Sequence, residues 1–257
     1  MKTWAAIVEK LDHLKTMDRH CAAFGAESHR YSFSAPISSD EISSAESKLG
    51  ISLPDELKSF YREVGNGGAG PYYGLLAARA LRGFQPAEIY PGVESLRQIA
   101  SASGSRVDDN GYFEISYREI KGLVSIIDEG CGHQVCLVTT GPISGRVVNV
   151  SANGFVFETR KNLFDLYNEW LDRELELFES VQNLMNQARS YEQINEEMIA
   201  RFKDYHADDR MASLADVPKP AELFGEGNTK RYHGASQIPW FKQVLKEWQD
   251  VNLESSD

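Results

Sequence analysis

Three residues that could do chemistry, Cys131, His133 and Cys136, lie within six positions of one another. Thiols and an imidazole this close together could ligate zinc, or could pair a cysteine nucleophile with a histidine base. Cys131 falls in a glycine-bearing turn. His133 and Cys136 take odd and even positions of a predicted strand, so their side chains should point to opposite faces. No fourth ligand and no group to orient His133 lie nearby, and we expect no metal ion, no cofactor and no catalytic residue.

Two pairs of acids, Asp108-Asp109 and Asp128-Glu129, fall in predicted loops. Paired carboxylates can act as general acid and base or hold a cation, although acids in turns are usually just solvated. We predict instead that Asp108, Asp109, Asp128 and Glu129 contact a partner protein. An unrecognised hydrolase that uses these acids or the cysteines is the least favoured alternative, and the chain is not expected to be an enzyme.

A run of glycines at positions 65, 67, 68 and 70 is the remaining candidate for a ligand site. A phosphate-binding loop leads into a helix and is followed by Lys and Ser or Thr. These glycines instead follow a predicted helix and lead into Pro71-Tyr72-Tyr73. The run therefore indicates a sharp change of chain direction, and we reject a phosphate cradle.

The charge balance limits the class of partner. The chain has 257 residues, with 38 acidic and 27 basic side chains and a net charge of −11. Such a chain is repelled by nucleic acid and by anionic membranes, and it suits a cationic protein partner. Three cysteines give no disulfide framework, and Glu9 and Asp12 interrupt the apolar N-terminus. We expect a cytoplasmic protein with no membrane span, monomeric rather than dimeric.

Apolar spacing and turn residues predict helices first and a sheet after them. The predicted helices cover residues 3–24, a segment from a Ser38–Glu41 capping box to Gly50, a segment beginning at Pro54, and residues 93–102. A short strand is expected within residues 71–81. Four more strands separated by glycine-bearing turns, at 123–127, 134–139, 146–150 and 155–158, predict an antiparallel meander.

Beyond Asn162 the pattern is helical as far as Phe202, as one long helix or as two with a break around 186–190. The sequence thus predicts an α+β fold, an antiparallel-rich sheet flanked by helices, in a domain over residues 1–178. Residues 179–257 are expected to form a mainly helical C-terminal extension. One buried cluster is predicted to contain Leu49, Ile51, Leu53, Leu57, Phe60, Val124, Ile126, Trp170 and Leu171.

Residues 37–68 read ISSDEISSAESKLGISLPDELKSFYREVGNGG. The order of helix, glycine stop, Leu-Pro, helix and Asn-Gly-Gly resembles the SUKH superfamily, which contains the Smi/Knr yeast cell-wall regulators and many bacterial immunity proteins. The resemblance extends over residues 36–178, through the Asp128–Gly132 turn and a closing helix. The residues that carry it, the signature residues below, are Glu46, Leu49, Gly50, Leu53, Pro54, Phe60, Asn66, Gly67 and Gly68.

The resemblance implies that these signature residues specify the fold and do not form an active site. It also implies a protein-binding function, which in bacteria is the neutralisation of a secreted toxin, often a nuclease. A regulatory scaffold of the same fold, without a toxin partner, is the alternative. The partner itself is not predicted by the sequence.

Overall fold

The computed structural model describes residues 3–19, 21, 23–105, 113–152 and 154–187. Six α-helices, one short 3-10 helix (Ala78–Ala80) and five strands are assigned in this part of the chain. The helices are α1 (Trp4–Met17), α2 (Ala26–His29), α3 (Ser39–Leu49), α4 (Asp55–Glu63), α5 (Val93–Ala102) and α6 (Leu163–Asn186). The strands are β1 (Arg82–Phe84), β2 (Leu123–Gly130), β3 (His133–Val138), β4 (Val147–Val150) and β5 (Val156–Glu158).

The five strands form one sheet in the order β1-β2-β3-β4-β5, with every neighbouring pair antiparallel. In the centre of the sheet Val124 pairs with Leu137, which in turn pairs with Val147. The predicted meander and the α+β fold class are therefore confirmed. The register shifts twice between β2 and β3, the second time at Asp128, where the hairpin begins to turn.

Successive strand residues point to opposite faces of the sheet, and each face is covered by its own apolar cluster. Val135 and Leu137 face a large cluster formed with the helices α1, α3, α4 and α6. Cys136 and Val138 face a second cluster built around Leu96 of α5. Of the nine predicted core residues, seven are buried in the first cluster, while Leu49 and Ile51 are half-buried at its edge.

The two ends of α3 and the start of α4 can be compared with the predicted capping residues. The Ser38 hydroxyl accepts from the Glu41 amide and the Glu41 carboxylate accepts from the Ser38 amide, which completes the capping box. Gly50 ends α3 with a φ of +70°, a left-handed conformation that suits glycine. Pro54 takes the N-cap position of α4, so this helix begins at Asp55, one residue later than predicted.

The predicted helix over residues 3–24 is too long, because α1 ends at Met17. Asp18 follows it and is buried, and its carboxylate accepts hydrogen bonds from the Tyr31 hydroxyl (2.6 Å) and the Ala23 amide (2.9 Å). These bonds fold the chain into a turn. Apolar spacing alone could not reveal it, since Cys21 and Phe24 happen to continue the helical period.

The strand expected within residues 71–81 is also absent from the described structure. Tyr72 and Gly74 have positive φ angles of 55° and 88°, which bend the chain out of strand geometry. Leu75 makes only isolated bridges, to Gly68 and Ile127. The edge strand β1 begins just beyond the predicted range and pairs with β2.

The long helix α6 begins where predicted and ends at Asn186, the first residue of the predicted break. The remainder of the helical pattern, to Phe202, lies outside the described residues, as does most of the predicted extension over 179–257. The proposed domain boundary at 178 falls within α6 and stays a prediction. No described helix is long and apolar enough to cross a membrane.

Candidate partner-binding surface

The signature residues hold the fold together in the described structure. The Glu46 carboxylate accepts from the Leu53 amide (2.8 Å) and from the Ser52 hydroxyl (3.2 Å), so it fixes the turn between α3 and α4. Leu53 and Pro54 are buried in that turn. Phe60 is fully buried and lies edge-on to Trp4, with ring centroids 5.1 Å apart.

The Asn-Gly-Gly part of the signature joins α4 to the sheet. The Asn66 side-chain oxygen accepts from the Ala78 amide at 2.8 Å. A Cβ on Gly67 would lie 2.6 Å from the Leu75 carbonyl oxygen, and one on Gly68 would lie 2.3 Å from that of Ser32. Only glycine fits at either position, so the motif is explained by close packing of the backbone.

The β2–β3 hairpin carries the acids Asp128 and Glu129. The Asp128 side chain is exposed and accepts a hydrogen bond from the Gly130 amide at 2.8 Å. Residues 130–132 all have positive φ angles (85°, 52° and 83°), which makes a tight turn. Asp128 therefore stabilises the turn and still presents charge to solvent, while Glu129 is half-buried beside it.

Two exposed aromatic rings contact each other, and one of them adjoins this hairpin. Phe24 is 49% exposed and Tyr73 is 45% exposed, and their ring centroids are 5.5 Å apart. The Tyr73 ring covers Gly130, where a Cβ would lie 2.9 Å from Tyr73 Cε2. Tyr72 is half-buried and lies edge-on to Phe24, with ring centroids 6.3 Å apart. We call these three rings, together with the hairpin acids Asp128 and Glu129, the aromatic–acidic patch.

Comparison with protein-family models gives a match to the SMI1/KNR4 family (SUKH-1) over residues 36–173, more than half of the chain. The chain belongs to this family. The SUKH resemblance read from the signature residues is thereby confirmed. The comparison with curated proteins finds none that matches the chain.

The SUKH-1 match covers the chain from before α3 into α6 and leaves out α1 and Phe24. The aromatic–acidic patch thus combines family residues with one from outside the match. Sequence reasoning missed its aromatic part, because it placed Phe24 on the buried stripe of a helix and Tyr73 in a strand. The adjacent tyrosines after a glycine run were the one available signal.

The four acids predicted to contact a partner are not brought together by the described structure. Asp128 and Glu129 lie in the patch, whereas Asp108 and Asp109 lie outside the described residues. Partner contact by any of the four stays a prediction.

The cysteines and His133 are arranged as their spacing predicts. Cys136 points into the cluster around Leu96, and His133 has the strand parity of Val135 on the other face. Burial, with Glu129 nearby, raises the pKa of the Cys136 thiol far above its usual value, so this thiol stays protonated at neutral pH. Cys131 is exposed. In the part of the chain that is described, no three His, Cys, Asp or Glu residues are grouped to hold a metal ion.

Proposed function

We propose that this SUKH-1 protein is a protein-binding module that neutralises a secreted toxin, acting as an immunity protein. The observation that carries the proposal is the pair of exposed rings, Phe24 and Tyr73, packed beside the acidic β2–β3 hairpin. The family contains immunity proteins, and no curated relative narrows the assignment to one activity.

The patch has the composition of a binding hot spot. Large aromatic side chains dominate the energetics of protein interfaces, because each buries much apolar area and loses few rotamers on binding. Phe24 and Tyr73 support each other by ring contact, and Tyr73 is supported by the turn at Gly130. Such a surface is organised before the partner arrives, which lowers the cost of association.

Charge adds a preference for the kind of partner. The chain carries a net charge of −11, and Asp128 is exposed on the hairpin whose Gly130 lies under the Tyr73 ring. Enzymes that act on nucleic acid attract a polyanion, so their working surfaces tend to be cationic. A toxin nuclease is therefore the partner class we favour, with the patch covering its cationic surface.

The proposal predicts a toxin gene beside this one, and the test is protection against the toxin domain that such a gene encodes. Wild-type chain co-expressed with that domain should restore growth and form an isolable complex. The double variant Phe24→Ala/Tyr73→Ala should lose protection and bind about a hundredfold more weakly, as expected for two hot-spot aromatics.

Ile89→Ala is the matched control, because Ile89 is apolar, 69% exposed and close to Gly141 at the far end of β3 from the hairpin. It should protect as well as wild type. If the folded wild-type chain neither protects nor binds, the immunity function is wrong and the regulatory scaffold becomes the better explanation. If both variants lose protection equally, the patch is not the contact surface.

A further inference from the structure

A groove at the N-terminal end of α1 forms a second surface with a defined composition. It has a volume of about 780 Å³ and lies between the first turns of α1, the outer face of α4 and the start of α6. Its floor is apolar and includes Trp4, Val8 and Phe164. The Trp4 indole N–H donates to Ser59 Oγ at 2.9 Å, and its ring lies 5.4 Å from that of Phe164, so the floor is fixed.

The polar lining of this α1 groove is acidic. Glu9, Asp12, Glu56 and Glu63 contribute four carboxylates, and among the described residues no Lys, Arg or His lines the groove. Glu56 accepts from the Leu163 amide at 2.9 Å and Glu63 accepts from the Ser59 hydroxyl at 2.6 Å. Glu9 and Asp12 stand on the exposed side of α1, three residues apart on one face.

We propose that the α1 groove docks a short basic segment of a protein partner, with apolar side chains on the floor and Lys or Arg against the rim. The volume is within the range of pockets that hold a ligand, roughly 300–1,000 Å³. The rim repels nucleic acid, anionic lipid and acidic peptides, whereas the floor gives an apolar side chain a place to bury. The acidic rim and the apolar floor therefore favour the same occupant, a segment that carries both basic and apolar side chains.

This groove is separate from the aromatic–acidic patch. It is lined on α1 by residues between Thr3 and Asp12, whereas Phe24 follows the C-terminal end of that helix, and the two surfaces share no residue. Its α1 wall also lies before residues 36–173, the extent of the family match. The proposal thus goes beyond the toxin-binding function and does not depend on it.

The experiment is a titration of the full-length chain, observed by ¹H–¹⁵N NMR, with three defined peptides. They are a short amphipathic peptide of lysine and leucine, its analogue with glutamate for lysine, and its analogue with serine for leucine. The chain has four tryptophans, so the Trp4 indole signal is readily resolved. The lysine–leucine peptide should shift the Trp4 signal, the glutamate analogue should not, and the serine analogue should bind more weakly.

Charge reversal then tests the rim. Glu9→Lys/Asp12→Lys should weaken the lysine–leucine peptide about tenfold, because it removes attraction and adds repulsion at the site. Glu88→Lys/Glu114→Lys, which changes the net charge equally at exposed acids outside the groove, should weaken it by about twofold or less. Phe24→Ala/Tyr73→Ala should leave the affinity unchanged.

Any of the following results would overturn the proposal. Equal weakening by both charge reversals would mean attraction to net charge only. Peptide binding without a shift of the Trp4 signal would place the site elsewhere. Self-association in light scattering that disappears in Glu9→Lys/Asp12→Lys would make a second copy of the chain the occupant. The peptide titration uses no toxin, so it stays valid if the toxin-protection assay fails. The protection assay likewise stays valid if no peptide binds in the groove.

Discussion

Replacing Phe60 with alanine should destabilise the protein severely, because this ring is the centre of the main core cluster. Phe60 has no exposed surface, and its ring centroid lies 5.1–5.5 Å from those of Trp4, Phe33 and Tyr167. Truncating a buried Phe costs about 3–5 kcal/mol, and aromatic pairs add about 0.5–1.5 kcal/mol. We therefore expect a loss of about 4–5 kcal/mol, a large share of the 5–15 kcal/mol typical of a folded domain.

Urea unfolding followed by far-ultraviolet circular dichroism measures this loss as a shift of the midpoint at constant slope. Phe60→Leu keeps most of the volume and should cost about 1.5 kcal/mol or less, so the effect stays measurable if Phe60→Ala does not fold. Phe24→Ala makes the same chemical change at a ring that is 49% exposed, and it should cost under about 1 kcal/mol. Equal costs for Phe60→Ala and Phe24→Ala would refute the packing argument.

Three further predictions concern charge, thiols and pH. Asp128→Asn/Glu129→Gln keeps the acceptor for the Gly130 amide but removes two negative charges. The rate of toxin association should therefore fall and depend less on salt, while the dissociation rate changes little. A wild-type association rate that does not depend on salt would contradict this. A disulfide reagent should modify exposed Cys131 quickly and buried Cys136 only on unfolding, and rapid labelling of Cys136 in the folded chain would contradict its burial. Burial raises the pKa of the Glu174 carboxyl, so the native state binds this proton more tightly than the unfolded chain and stability falls as pH rises above about 4.3. Glu174→Gln should therefore raise the melting temperature at pH 7, with the gain vanishing near pH 4; a lower melting temperature at pH 7 would reverse the sign.

The parts of the fold that the sequence predicted are those set by local chemistry. The capping box at Ser38 and the glycine stop at Gly50 act within a few residues, so their effect can be read from neighbouring letters. The meander follows from alternation and glycine turns in the same way, and α5 has the predicted bounds. These features depend on no contact between distant parts of the chain.

The parts that the sequence could not predict depend on distant contacts. The end of α1 is set by the buried Asp18 carboxylate, whose partner Tyr31 lies thirteen residues away. The bend at Tyr72 brings Tyr73 over Gly130, more than fifty residues further along the chain. Both errors placed an aromatic residue in a regular element in place of an exposed turn. The aromatic part of the candidate surface was missed for this reason.

The distribution of roles along the chain indicates where partner choice is encoded. The signature residues are occupied by packing and backbone hydrogen bonds, as Glu46 and Asn66 show, so they are poorly placed to distinguish one partner from another. α1 precedes the family match, yet Ile7, Leu11 and Leu14 are buried in the main core. Its first turns form one wall of the groove, and the chain after its end presents Phe24. Substitutions confined to the exposed side of α1 and the loop after it would alter both the α1 groove and the aromatic–acidic patch without disturbing the signature residues. We therefore expect related proteins that bind different partners to differ in this segment.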